Sequence, residues 1–130
     1  MSPQEFLQAL RQTLGAEAVL SGDAVPARYH TDWSGTPPVA PLALVRPRST
    51  EDVSATLRLC HQHRVPVVPQ GGLTGLAGAA VPSADCVALS LERMPAIEAI
   101  DARSATMTVQ AGATLQAVQE AAVDAGLAFG

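Results

Sequence analysis

Between Pro69 and Gly78 the chain reads Pro-Gln-Gly-Gly-Leu-Thr-Gly-Leu-Ala-Gly, and its recognisable chemistry is concentrated there. Gly71, Gly72, Gly75 and Gly78 place four glycines within eight residues. Glycine has no Cβ, so such a run lets a ligand or a second backbone come close to the peptide units. Successive N–H groups in a loop of this kind form a nest for an anion, and the Thr74 hydroxyl adds a donor. The fitting guest is a phosphate or pyrophosphate. Elsewhere the chain offers no side chain to assign as a catalytic residue and none as a metal ligand.

Two common phosphate loops fail the test of spacing. A loop that cradles a metal nucleotide ends in Gly-Lys-Ser/Thr, and no lysine or arginine lies between Arg64 and Arg93. The dinucleotide fingerprint Gly-x-Gly-x-x-Gly opens a helix, whereas here the order is Gly-Gly-x-x-Gly-x-x-Gly and Pro82 interrupts any helix that follows. The loop is therefore expected to bind through backbone amides with no fixed cation. Ahead of it, Val65, Val67 and Val68 form an apolar β-branched run, expected to be a strand buried on both faces that aims the loop.

With Val81-Pro82 behind it, this loop resembles the pyrophosphate loop of the FAD-binding domain of the p-cresol methylhydroxylase and vanillyl-alcohol oxidase type. The likeness is strongest to the branch of D-lactate dehydrogenase, glycolate oxidase and D-2-hydroxyglutarate dehydrogenase. Further blocks stand in the family's order: Leu44-Val45-Arg46-Pro47, Leu89-Ser90-Leu91-Glu92-Arg93-Met94, and Val109-Gln110-Ala111-Gly112-Ala113-Thr114-Leu115. Tyr29 and Asp32 resemble the family's Tyr-x-x-Asp ahead of the first strand.

The resemblance implies an α+β fold: a small βαβ parallel sheet followed by the start of a second, mainly antiparallel α+β subdomain. It implies FAD, contacted by Pro69, Gln70, Gly71, Gly72, Leu73, Thr74, Gly75, Leu76 and Gly78. In the complete enzyme it implies oxidation of a small D-2-hydroxy acid, of the D-lactate, glycolate or D-2-hydroxyglutarate type, to the 2-oxo acid. Some relatives attach the flavin through a histidine immediately after the double glycine; Leu73 occupies that position, so noncovalent FAD is expected. The family's substrate and base residues belong to a portion not represented in this chain. A reading from another class stays open beside this one: a stand-alone module that binds a phosphate compound or serves assembly, without catalysis.

Composition bounds both readings. The 130 residues suit one domain and are 48% hydrophobic, enough for a core. A net charge of −4, from 12 acidic and 8 basic residues, gives no electrostatic footprint for nucleic acid or an anionic membrane. No apolar run approaches the roughly 20 residues that span a bilayer, and Met1 to Leu14 lacks the pattern of a signal peptide. With only 2 cysteines, Cys60 and Cys86, the cytoplasm is the expected location, and Cys86 reads as a small buried residue.

The positioning elements follow in three expected segments. In residues 1–41, Ser2, Pro3 and Glu5 open a helix with Phe6, Leu7, Leu10 and Leu14 on one face and Gly15 as its stop. Residues 19–32 show weak periodicity, Ser34 to Pro41 reads as an extended connection, and Tyr29, His30 and Trp33 are expected to pack within the domain. In residues 42–91, Leu42 to Val45 is a strand, Ser49 caps a helix with Val53, Leu57 and Cys60 inward, the Val65 strand follows, and Cys86 to Leu91 adds a third. His61 and His63, at i and i+2, cannot share a helix face and read as surface residues. In residues 92–130, Ile97 to Ile100 and Thr106 to Gln110 form a hairpin, and Thr114 caps a helix with Leu115, Val118 and Ala122 on one side. The closing Leu127-Ala128-Phe129-Gly130 reads as the start of another element, so the chain is expected to be the inactive front part of an FAD-binding domain, able to self-associate.

Overall fold

Ser2 starts the first helix, α1 (Pro3–Leu14), by a reciprocal cap. Its hydroxyl accepts from the Glu5 amide at 3.2 Å, and its own amide donates to Glu5 Oε2 at 2.8 Å. Two of the donors that a helix start leaves without partners are thereby satisfied. Gly15, at φ 93°, ends the helix. The computed structural model describes residues 2–130.

Four strands form the main sheet: β1 (Val19–Leu20), β2 (Ala43–Val45), β3 (Val67–Gln70) and β4 (Val87–Ser90), in the order β1-β2-β4-β3. β2, β3 and β4 run parallel, while β1 is antiparallel to β2. Between β2 and β3 runs α2 (Thr50–His63), capped by Ser49 and acidic in its first turn at Glu51 and Asp52, as the helix dipole favours. The expected βαβ unit is present, with β4 inserted between its two strands.

Alternation along the strands feeds two cores. Ala43, Val45, Val87 and Leu89 meet Phe6 and Leu10 of α1 and Cys60 of α2 on one face. Leu44 and Ala88 meet Val25, Tyr29 and Leu73 on the other. The segment from Val19 to Trp33 therefore covers a sheet face, using short 3-10 turns at Gly22–Ala24 and Ala27–His30.

Four expectations need correction. The Val65 run is not buried on both faces: β3 is an edge strand with only Gln70 fully buried. Pro69 explains the placement, since it has no N–H for a second ladder. Leu57 is 45% exposed, and Thr56 takes the inner position beside Val53 and Cys60, because residues 53, 56 and 60 centre the buried stripe one step away from 57. Trp33 does not pack inside; it is 72% exposed. Val19 and Leu20 form a strand that their weak periodicity did not announce, because two residues carry too little alternation to read.

The second layer begins with the antiparallel hairpin β5 (Ile97–Asp101) and β6 (Thr106–Val109), followed by α3 (Leu115–Asp124). Thr114 caps α3 by accepting from the Ala117 amide at 3.1 Å, and Gly126 at φ 76° follows the helix. An apolar groove of about 400 Å³ separates the hairpin from α3, with Met107, Val109, Leu115 and Phe129 on its walls. Among the described residues, no helix is long and apolar enough to cross a membrane. None of them forms a group of His, Cys, Asp and Glu that would hold a metal ion.

Candidate functional site

Three parallel strands end at one edge of the sheet, so the chain leaves β2 at Arg46, β3 at Gly71 and β4 at Leu91 on the same side. Ligands of open α/β sheets bind outside this carboxyl edge. A cleft of about 560 Å³ lies there. Gly71, Gly72 and Thr74 line it, together with Pro95, the segment Ala111 to Leu115, and the side chains of Arg28 and Glu92.

The loop after β3 presents unused donors to open space. Gly71, Gly72, Thr74 and Gly75 are exposed, and their amides donate to no acceptor among the described residues. Nothing lies within 4 Å of where a Cβ would stand on Gly71 or Gly72. Neither has a positive φ; in the left-handed region stand Leu73, at 61°, and Gly78, at 79°. At Gly71 and Gly72, then, glycine leaves room for close approach, and only at Gly78 does it also relieve the backbone.

Contacts behind the loop hold it in shape. Gln70 is buried, and its Nε2 donates to the Tyr29 carbonyl at 2.9 Å and the Ala80 carbonyl at 3.0 Å. The Trp33 amide donates to the Gly75 carbonyl at 2.9 Å. Asp32 accepts from the Ser34 amide at 2.9 Å. Ser34, and then the amides of Ala80 and Gly78, hold the Asp32 carboxyl below its usual range despite burial. The Tyr-x-x-Asp segment thus clamps the glycine loop from the rear.

A charged cluster stands beside it. Arg28 Nη2 donates to Glu92 Oε2 at 2.9 Å, and Tyr29 donates its hydroxyl to Glu92 Oε1. Arg46 Nη1 lies 3.9 Å from the same carboxylate. Burial raises the Glu92 carboxyl, but Tyr29, Arg28 and Arg46 outweigh it and leave the group below its ordinary value. The same burial, with Glu92 alongside, raises the Tyr29 phenol.

Of the sequence-assigned site residues, Gly71, Gly72 and Thr74 line the cleft. Gly75 and Leu76 are exposed on the same loop, Gly78 lies at its rear against Thr36, and Pro69 sits on the exposed edge of β3. Gln70 acts as a brace, and Leu73 turns toward the core cluster of Tyr29 and Leu44. Sequence reasoning missed Arg28: the loop has no basic residue, but the cleft does. It also missed the opposite wall at Ala111 to Leu115, although the quoted block Val109 to Leu115 marked that segment. Burial pushes the Cys60 thiol up to about 11, which removes it as a nucleophile near neutral pH.

The profile of the FAD-binding domain family matches residues 41–130, most of the chain. The chain belongs to that family. This FAD-binding domain is 39% identical over 121 residues to the D-2-hydroxyglutarate dehydrogenase of Xanthomonas citri pv. viticola, covering 93% of the chain and 26% of that protein. It is 41% identical over 100 residues to the D-lactate dehydrogenase of Archaeoglobus fulgidus, covering 72% of the chain and 22% of the relative. Among solved structures, p-cresol methylhydroxylase with substrate bound superposes with a TM-score of 0.80 at 24% identity, over 95% of this chain and 25% of that one. That likeness carries the fold, which is the α+β architecture expected from sequence. The domain spans about a quarter of the length of the relatives it matches.

The family's cofactor is FAD, and the residues present fit it. A diphosphate needs clustered donors with free space in front, and Gly71, Gly72 and Thr74 supply both. The α3 N-terminus at Thr114 adds its positive dipole end to the same cleft.

Proposed function

We propose that this chain is the pyrophosphate-binding part of the FAD site in a flavin-dependent dehydrogenase. The substrate class is a D-2-hydroxy acid, of the D-2-hydroxyglutarate, D-lactate or glycolate type, oxidised to the 2-oxo acid. The observation that carries the reading is the set of unused amides at Gly71, Gly72 and Thr74 lining the cleft at the sheet's carboxyl edge, with the unused amide of exposed Gly75 next to them on the loop. The names of the relatives support the substrate class.

In this reading the loop amides and the Thr74 hydroxyl hold the diphosphate, while Gln70, Asp32 and Tyr29 keep the loop in shape. Pro69 and Gly78 set the loop's two ends, Leu73 anchors the loop in the core beside Tyr29 and Leu44, and exposed Leu76 flanks the bound group. When bound, FAD supplies the oxidising chemistry, and the protein's part is to orient it. Binding is noncovalent, since Leu73 stands where a histidine would attach and His61 and His63 lie at the far end of α2. We assign residues 1–130 to the front part of one FAD-binding domain, inactive by itself, whose apolar groove favours self-association when isolated. Unpaired, buried Cys60 and Cys86 support a reducing compartment, the cytoplasm.

The test is Gly72→Val in the full-length protein that carries this chain. Nothing lies within 4 Å of a Cβ at this position and its φ is not positive, so the variant is expected to fold, while the valine occupies the approach path of the diphosphate. Purified wild type is expected to carry FAD that heat or acid releases entirely into the supernatant, and the variant to carry little. Equal flavin content in the two proteins would refute the assignment of the loop.

A further inference from the structure

The glycine loop is neutral, and the nearest basic residues in sequence are Arg64 and Arg93. A diphosphate there meets N–H dipoles but no full positive charge from the loop, and the Glu92 carboxylate shares its cleft. The structure brings one guanidinium to that space from a distant part of the chain. Arg28 sits 4.0 Å over the Tyr29 ring and donates through Nη2 to Glu92 and to the Tyr29 hydroxyl. A guanidinium has five N–H donors, and these contacts use only Nη2, so Nη1 and Nε stay free for a ligand. With 60% of its side chain exposed, Arg28 is not committed to the core.

Glu92, by contrast, is already compensated. It accepts from Tyr29 and faces Arg46 as well as Arg28. Arg46 does not line the cleft but shares the Glu92 carboxylate from behind, so two guanidinium groups face one carboxylate and the cluster as a whole carries a net charge of +1.

We propose that Arg28 is the cation that completes diphosphate recognition at the glycine loop, an assignment that rests on the flavin reading above. Tyr29 and Glu92 are positioning residues: the ring supports the guanidinium face, and the carboxylate fixes its orientation. A surface ion pair serving stability alone would add little to the fold and nothing to ligand affinity. That difference is measurable.

The experiment uses the apo form of the full-length protein carrying this chain, as wild type, Arg28→Gln and Arg28→Lys. Dissociation constants are measured for FAD, ADP and riboflavin at low and high salt, with the melting temperature of each apo protein. Arg28→Gln is expected to weaken FAD and ADP about tenfold or more, as loss of a charge-assisted contact does, and to flatten the salt dependence. Riboflavin, which has no phosphate, is expected to bind all forms equally. Arg28→Lys is expected to recover part of the affinity, keeping the charge but not the planar fork.

Unchanged FAD binding in Arg28→Gln overturns the proposal, and so does a parallel loss of riboflavin affinity. A markedly lower apo melting temperature in Arg28→Gln overturns it too, since Arg28 would then be structural. Wild type that binds neither FAD nor ADP refutes the flavin reading itself, and the Arg28 assignment with it. Wild-type binding with an indifferent variant refutes Arg28 alone.

Discussion

Replacing Gly112 by alanine adds one methyl group where the chain has no room for it. The new Cβ would stand 1.7 Å from the Leu91 carbonyl oxygen, 2.7 Å from the Leu91 carbonyl carbon and 2.9 Å from the Met94 carbonyl oxygen. All three neighbours are backbone, so no side chain can rotate aside. Gly112 also donates its amide to Met94 at 2.9 Å, a bond that any shift of the segment breaks. Overpacking costs about 1–3 kcal/mol where the surroundings yield, and a rigid backbone puts this site at the upper end. Loss of the hydrogen bond adds about 1 kcal/mol.

A total of about 3–4 kcal/mol is a large share of the roughly 5–15 kcal/mol that holds a domain together. For a chain of this size it lowers the melting temperature by roughly 12–16 °C. Gly72→Ala is the matched control on the facing wall of the cleft. Nothing lies within 4 Å of its Cβ position and its φ is not positive, so its melting point is expected to hold or rise slightly. Thermal unfolding followed by circular dichroism measures both. If Gly112→Ala melts with wild type, the close approach of the second layer to Leu91 is wrong.

Two further perturbations probe the supports of the site. Leu10 is fully buried between α1 and the sheet, so Leu10→Ala is expected to cost about 2–5 kcal/mol in denaturant unfolding, and a loss under about 1 kcal/mol would contradict that packing. Glu92 has a folded pKa below its unfolded value, so its stabilisation is complete above the ordinary value of 4.5 and is lost as pH falls through the folded pKa. Melting temperatures between about pH 5 and pH 3 are therefore expected to fall less steeply in Glu92→Gln than in wild type, and equal slopes would remove Glu92 from the cluster's electrostatics.

Much of this was legible in the chain because the signals are local. The capping box at Ser2 and Glu5, the Ser49 and Thr114 caps, the stops at Gly15 and Gly126, and the hairpin around Asp101 to Ser104 each depend on residues within one turn of one another. The glycine loop belongs with them, since four glycines and a threonine state a backbone-donor site without reference to the rest of the molecule. By itself, then, the sequence determined the α-helices, the strands other than β1, their order along the chain, and the family to which the glycine loop belongs. Only the tertiary structure decided that β4 slips between β2 and β3, which sends the Val67 strand to an edge where Pro69 is tolerated. It alone decided that the unpatterned stretch before β2 folds over the sheet, carrying Tyr29 and Asp32 behind the loop and Arg28 to the cleft, where Glu92 arrives from 64 residues away. The physical reason is that such partners meet through burial of the Leu44 and Ala88 face, a requirement set by the whole sheet and not written in the spacing of any one segment.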